Sequence, residues 1–483
     1  MAEQSGQEGA RQKIGDAKAA PTKNFFVKML TRDIDLQDSL LDLLDNCVDG
    51  ILRSIGEVQG DTPYTGYRAT MTFDANYFII EDNCGGIPKS VAEKYAFSMG
   101  RPPDEDVEQL AAAATVGMYG IGMKRAIFKL GTDALVESRH DEGFTVEFSP
   151  EWMSDRGWTD LPMFPLKDGE LVDGGTRITV FQLHDECKKA FAEKTWIESF
   201  RNSISRHYAI IISKGFEVRV GTEEEIVAGA EPIAGAGFRL LETDALPDGS
   251  RVQPFTYFGV LDGVKVEIYA GLYRKLLTEE EADREEQTRG VKDDAGWTVA
   301  CNDRVVIWKD TTRLTGWGEA TVPNYHGQFI AITGLVLLHS DDPSKLPLTT
   351  TKRGIDAASN VYAEVKDLMR EATKNLTSFT YRWKKHERDL DSIYQNSRYV
   401  ELSALRTMAQ EVSTGQVRKF ATMKRSEVKL PVPVNETRTA RVSFTADKDD
   451  IAKLKKHYFD DQQATNSEVG DAAFYDALKR IKK

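Results

Sequence analysis

Three short stretches of this sequence place polar groups at spacings that could do chemistry. The first is Asp38, Asp42, Asp45, Asn46 and Asp49, which recur at helical intervals with no lysine placed among them to neutralise the charge. Like charges one helical turn apart repel by a few tenths of a kcal/mol in water, and by more if another layer of structure covers them. Such a face either stays solvated or recruits a cation. Asn46 and the acids offer hard oxygen donors suited to Mg²⁺, which keeps part of its water shell and shares phosphate oxygens. The second stretch is the turn Asp82-Asn83-Cys84-Gly85-Gly86-Ile87, where a carboxylate stands beside glycines that let a ligand approach the backbone. It reads either as an ordinary strand-ending turn or as a carboxylate waiting for a donor such as an adenine amino group. The third is Gly117-Met118-Tyr119-Gly120-Ile121-Gly122-Met123-Lys124, a glycine-rich loop that runs into a helix. That arrangement aims backbone N–H groups and the positive end of the helix dipole at phosphate. It is not a Walker loop, and it lacks the βαβ context and ribose acid of a dinucleotide fold.

The surrounding sequence supplies elements to hold these groups. Leu36, Leu40, Leu43, Leu44, Cys47, Val48, Ile51 and Ile55 form the apolar stripe of an amphipathic helix whose other side carries the acids. Strands are expected over 67–73 and 77–81, the second running directly into the Asp82 turn. Residues 101–119 mix prolines, acids and alanines without a period, as a lid would. A helix is expected from Gly122 to a stop at Gly131, followed by strands over 134–138, 144–148 and 176–183. Alternating helices and mostly antiparallel strands predict an α/β sandwich. A second α/β region begins near Lys194. A long helix follows, with Val361, Val365, Leu368, Met369, Ala372, Leu376, Phe379 and Trp383 on one side.

The order and spacing of these pieces resemble the Bergerat ATP-binding fold of the histidine kinase, gyrase, MutL and heat-shock chaperone (GHKL) superfamily. The resemblance rests on the Asp-x-x-Asp-Asn-x-x-Asp helix, then Asp-Asn-x-Gly-Gly-Ile, then Gly-x-x-Gly-x-Gly-x-Lys, then Gly175-Thr176 opening a strand. It implies that Asn46 holds Mg²⁺, that Asp82 receives the adenine amino group, and that Thr176 supports it through water. Gly117, Gly120, Gly122 and Lys124 would line the triphosphate, with Asp49, Gly86, Ile87, Tyr119, Ile121 and Met123 completing the nucleotide contacts. The usual general-base glutamate is here Asp42, one methylene shorter. General-base catalysis is typically worth about 10²–10⁴ in rate, so hydrolysis is expected to be slow. Cys84 replaces the first glycine of the adenine turn. The segments CNDRVVI and LPLTTTKRGID of the second region resemble the transducer domain of MutL, gyrase and MORC proteins, with Lys352 as the lysine that reaches the γ-phosphate and Arg353 next to it. Of these, MORC proteins are the nearest likeness, and the resemblance spans roughly residues 24–360.

The expected organisation is a disordered tail over 1–22, an ATP-binding domain over 23–190, a transducer domain over 191–358 and a long helix over 359–400. A basic linker follows over 401–438, then a strand-helix-helix unit over 439–483 that is loosely like a ribbon-helix-helix DNA binder. The resemblance implies an ATP-dependent homodimeric clamp that hydrolyses ATP and acts on nucleic acid. A chaperone-like ATPase acting on a protein partner and a non-hydrolysing ATP sensor or scaffold are the other readings. The net charge of −13 is uneven, since residues 401–483 carry 16 basic and 12 acidic side chains. No apolar run approaches the roughly 20 residues of a membrane span, and the N-terminal stretch has no apolar core of a secretory signal. Cys47, Cys84, Cys187 and Cys301 lack zinc-ribbon spacing. A cytoplasmic protein with reduced cysteines and no membrane partner is expected.

Overall fold

A computed structural model of the chain describes residues 22–56, 60–98, 121–155, 157–167, 169, 171–277, 281, 294–349, 354–384, 386, 390–394, 396–410, 424–433, 445–459 and 464–481. It is a mixed α/β protein that divides into two units, Met1–Pro433 and Val434–Lys483.

The acid-bearing helix occupies the span that its apolar period predicts. After a first helix α1 (Lys23–Arg32), α2 runs over Leu36–Ile55, with the Asp35 side chain accepting from the Gln37 N–H at its start. Seven strands follow: β1 (Arg68–Phe73), β2 (Tyr77–Asp82), β3 (Gly131–Arg139), β4 (Gly143–Phe148), β5 (Met163–Pro165), β6 (Gly175–Leu183) and β7 (Glu217–Thr222). They make one sheet in the order β5-β4-β3-β6-β2-β1-β7, antiparallel throughout except for the parallel β1–β7 pair. Helix α3 (Gly122–Leu130) enters β3 directly and packs against α2. Leu40, Leu44, Val48 and Ile51 of α2 share one buried core with Met71, Phe73, Ile80, Val136 and Val180 of the sheet. Burying each such side chain is worth about 1.5–3 kcal/mol relative to exposure.

The domain boundary expected at residue 190 falls inside this layer. Helices α4 (Asp185–Ala192) and α5 (Lys194–His207) contribute Phe191, Ile197, Phe200 and Ile204 to the same core, and β7 extends the sheet to Thr222. The sequence pattern marks elements and not their partners, so a strand that returns to the far edge of the first sheet reads like the start of a new domain.

A second sheet has the order β12-β11-β13-β10-β9-β15. Its strands are β9 (Phe255–Leu261), β10 (Val264–Leu272), β11 (Gly296–Cys301), β12 (Arg304–Asp310), β13 (Ile332–His339) and β15 (Lys424–Arg425), while β8 (Arg239–Glu242) pairs with β14 (Arg398–Glu401) separately. The long helix α6 covers this sheet over Asn360–Trp383 and stops short of the expected residue 400. Its eight predicted apolar positions are all buried. The expected linker over 401–438 is partly structured, with α7 at Leu402–Gln410. Its residues 424–433 dock on the second sheet and on α6: Ser426 N–H donates to the Thr256 carbonyl of β9, and Trp383 Nε1–H of α6 to the Pro431 carbonyl.

The second unit contains α8 (Lys448–Phe459) and α9 (Asn466–Ile481), joined by Tyr458 Oη donating to Asp476 Oδ2 at 3.1 Å. The strand expected before them lies outside the described residues. Among the described residues no helix is long and apolar enough to cross a membrane.

Candidate functional site

The acidic face of α2 is not solvated. Asp42 is 5% exposed, Asp45 1% and Asp49 5%, and Asp38 is half-buried. Charge at such positions needs partners, and three arrive from distant parts of the chain. Arg125 of α3 donates to Asp42 Oδ2 from Nε at 3.1 Å and also from Nη2. Arg304, at the start of β12, donates from Nε to Asp45 Oδ1 at 3.0 Å, and Tyr208 Oη donates to the same oxygen at 2.5 Å. The Arg304 guanidinium also sits over the Tyr208 ring, 4.5 Å from its centre. The first α/β layer and the second sheet are thus tied together next to Asn46. His207, just before Tyr208, has Nδ1 2.9 Å from the Val305 carbonyl oxygen. Burial first, and the neighbouring Arg304 charge second, push its pKa down to about 4.

Asn46 stands apart from these ion pairs. Its Nδ2 is buried with no hydrogen-bond partner among the described residues. A native side chain seldom leaves such a donor unsatisfied, which costs about 1–3 kcal/mol. An acceptor brought by a ligand would satisfy it.

The turn after β2 approaches the same helix. Asp82 is paired across the strands with Thr176 at the start of β6. Its Oδ1 accepts from the Cys84 N–H at 2.7 Å, and Cys47 Sγ, one residue after Asn46, lies 3.4 Å from its Oδ2. Burial pushes the Asp82 carboxyl up to about 6, partly offset by the Cys84 N–H. Thr176 Oγ1 is 3.1 Å from Ser138 Oγ, and the Ile87 N–H donates to Ser138 Oγ at 2.8 Å. Two glycines are required for the close fit. A Cβ on Gly50 of α2 would lie 2.4 Å from the Cys84 carbonyl oxygen, and one on Gly86, at φ +66°, would lie 2.4 Å from the Arg139 carbonyl oxygen.

Helix α3 begins against Asp42, since a Cβ on Gly122 would meet the Asp42 Cβ at 3.4 Å. Ile121 is its N-terminal flank and Met123 packs on the core. Lys124 is buried, its Nζ donating to the Ala96 carbonyl at 2.9 Å, and burial lowers its pKa to about 8. Gly117, Tyr119, Gly120 and Lys352, together with the lid expected over 101–120, lie outside the described residues.

Asn46, Asp49, Asp82, Gly86, Ile87, Gly122, Met123, Thr176 and Asp42 therefore belong to one wall built from α2, the Asp82 turn, the start of α3 and the start of β6. Sequence reasoning missed Arg125, Tyr208 and Arg304. Arg125 follows Lys124 within the glycine-loop motif, so its position was the one available signal. Arg304 lies in the CNDRVVI segment, but nothing in the sequence joined it or Tyr208 to Asp45, 259 and 163 residues away. Searches against protein-family models and curated proteins find no match to this chain.

Proposed function

We propose that this wall is the nucleotide pocket of a Bergerat-type, Mg²⁺-dependent ATP-binding module followed by a transducer-like domain. The observation that carries the reading is the convergence of Asn46, the Asp82–Thr176 pair and the start of α3 on one side of the sheet, although they are separated by tens of residues in sequence. In this reading the Asp82 carboxylate accepts from the adenine amino group, with Thr176 beside it to hold a bridging water. The N-terminus of α3 would turn its backbone N–H groups and the positive end of its dipole towards phosphate.

The residues present fit Mg²⁺ in a particular way. Asp42 and Asp45 are already committed to arginines, and this reading assigns the Asn46 amide oxygen to the ion. One protein oxygen plus phosphate oxygens and waters suits this ion, which binds through few protein groups. When bound, Mg²⁺ would neutralise charge on the phosphates. The unpartnered Asn46 Nδ2 would donate to a phosphate oxygen.

Asp42 is the candidate general base, and it is held by Arg125 in a nearly buried ion pair. A carboxylate in that pairing is a poor proton acceptor, so ATP turnover is slow unless nucleotide displaces the arginine. The same pairing favours, as a second reading, a nucleotide-responsive switch with little turnover. The clamp, homodimer and nucleic-acid client follow from the MORC-like resemblance and the basic C-terminal region.

ATP binding to the full chain, measured calorimetrically with Mg²⁺, tests the pocket. Asp82→Asn should weaken ATP by about 10- to 100-fold, the equivalent of one hydrogen bond to a charged group, and should weaken GTP little. Wild-type affinity for ATP in Asp82→Asn, or the absence of ATP binding by the parent chain, would sink the reading.

A further inference from the structure

Two of the four buried cysteines have a carboxylate beside them. Cys47 of α2 and Cys84 of the following turn face the same carboxylate, and their sulfurs and an Asp82 oxygen all lie within 4.8 Å of one another. Each thiol also reaches a backbone carbonyl, Cys47 that of Leu43 at 3.4 Å and Cys84 that of Arg68 at 3.7 Å, as Cys187 reaches that of Lys129, but Cys47 and Cys84 have a carboxylate beside them as well. We propose that Cys47, Cys84 and Asp82 form a site for a thiophilic divalent cation of the zinc class, and that this cation competes with the adenine base for Asp82.

The geometry suits such an ion. With Zn–S near 2.3 Å and Zn–O near 2.1 Å, the ligand atoms of a tetrahedral site stand about 3.3–3.8 Å apart. Cys47 Sγ and Asp82 Oδ2 are already 3.4 Å apart, so an adjustment of about 1 Å or less closes the triangle. The Cys84 N–H holds Asp82 Oδ1 and fixes the carboxylate plane, as a metal-ligating carboxylate requires. The donor set separates this ion from Mg²⁺: two sulfurs select a soft or borderline cation, whereas the Asn46 amide and phosphate oxygens select a hard one. Asn46 and Cys47 are successive residues of α2 and point about 100° apart around the helix, so two different cations would be addressed from one turn.

Binding requires no redox step. The cation forms two metal–thiolate bonds and one metal–carboxylate bond, and both thiol protons leave to solvent. The resulting three negative ligands exceed the cation charge by one; the Arg53 guanidinium acts on Asp82 in the compensating direction, as the smallest of the influences on it. Cation binding stands without the nucleotide reading; the competition rests on it.

The test uses the full reduced chain without oxygen. Titration with Co²⁺ should give thiolate-to-cobalt charge-transfer absorbance that saturates at one equivalent. It should persist in a Cys187→Ala/Cys301→Ala variant and disappear in Cys47→Ala/Cys84→Ala. An absence of the band, or its survival in the latter variant, overturns the site. ATP affinity is then measured with and without one equivalent of Zn²⁺ in the parent and in Cys47→Ala/Cys84→Ala, which keeps Asp82. Chelation of Zn²⁺ by ATP is common to both proteins, so the difference reports the site. Zn²⁺ should weaken ATP at least tenfold more in the parent. Equal effects in both proteins overturn the competition. A chain that shows the cobalt band but binds no ATP refutes the nucleotide reading and leaves the cation site standing.

Discussion

Replacing Arg304 by methionine tests whether the aspartates of α2 are held by the second sheet. Asp45 and Arg304 are 1% and 4% exposed, and the aspartate takes its charge-bearing bond from Arg304 Nε at 3.0 Å. Arg304→Met fills similar volume but leaves the buried carboxylate with Tyr208 Oη as its remaining partner among those described above. Breaking a buried pair by removing one member costs about 3–5 kcal/mol, most of it the penalty of the stranded charge. Arg304 also donates to the carbonyls of His207 and Val305, so the upper part of that range is expected. The contrasting pair is Lys188–Asp185, whose side chains are 47% and 91% exposed; Lys188→Ala should change stability by about 0.5 kcal/mol or less. All seven tryptophans lie before residue 434, so their fluorescence during urea unfolding reports the unit that contains Arg304. Asp45→Asn in the Arg304→Met background should recover part of the loss, because the stranded charge is gone. A loss below about 1 kcal/mol for Arg304→Met, or no recovery in the double variant, would refute the argument that this pair locks the two layers together.

Two further outcomes follow from the same region. His207 is neutral in the fold, with its pKa pushed down to about 4 against an unfolded value near 6.5. Its contribution is therefore complete above pH 6.5 and is lost as pH falls towards 4, a decline of up to about 3 kcal/mol. His207→Gln should flatten that decline in urea midpoints taken between pH 7.5 and 4, and parallel curves for the two proteins would contradict the assignment. Gly50→Ala should destabilise by about 1–3 kcal/mol through the clash with the Cys84 carbonyl. An exposed helix interior would instead gain about 1 kcal/mol from that change, so a raised thermal midpoint would show that α2 and the Asp82 turn are not in contact.

Local pattern carried much of the architecture. The apolar stripe over Leu36–Ile55 marked α2 to the residue, because a helix that buries one face must repeat with its own period. The strand leading into the Asp82 turn, the strand that opens at Gly175 and the helix ending before Gly131 were equally readable. The order of Asn46, Asp82, Gly122 and Thr176 suggested a common site, and the four stand on neighbouring elements. What tertiary structure decided was the fate of the acids. Their spacing was compatible with a solvated face or a cation site. Instead Arg125 and Arg304 take Asp42 and Asp45 into buried ion pairs, and the Asn46 amide nitrogen has no hydrogen-bond partner among the described residues. It also decided that β7 closes the first sheet and that Cys47 and Cys84 share Asp82. Periodicity records which side of an element faces inward. It does not record which residue, tens or hundreds of positions away, will face it, because that pairing exists only once the layers have packed.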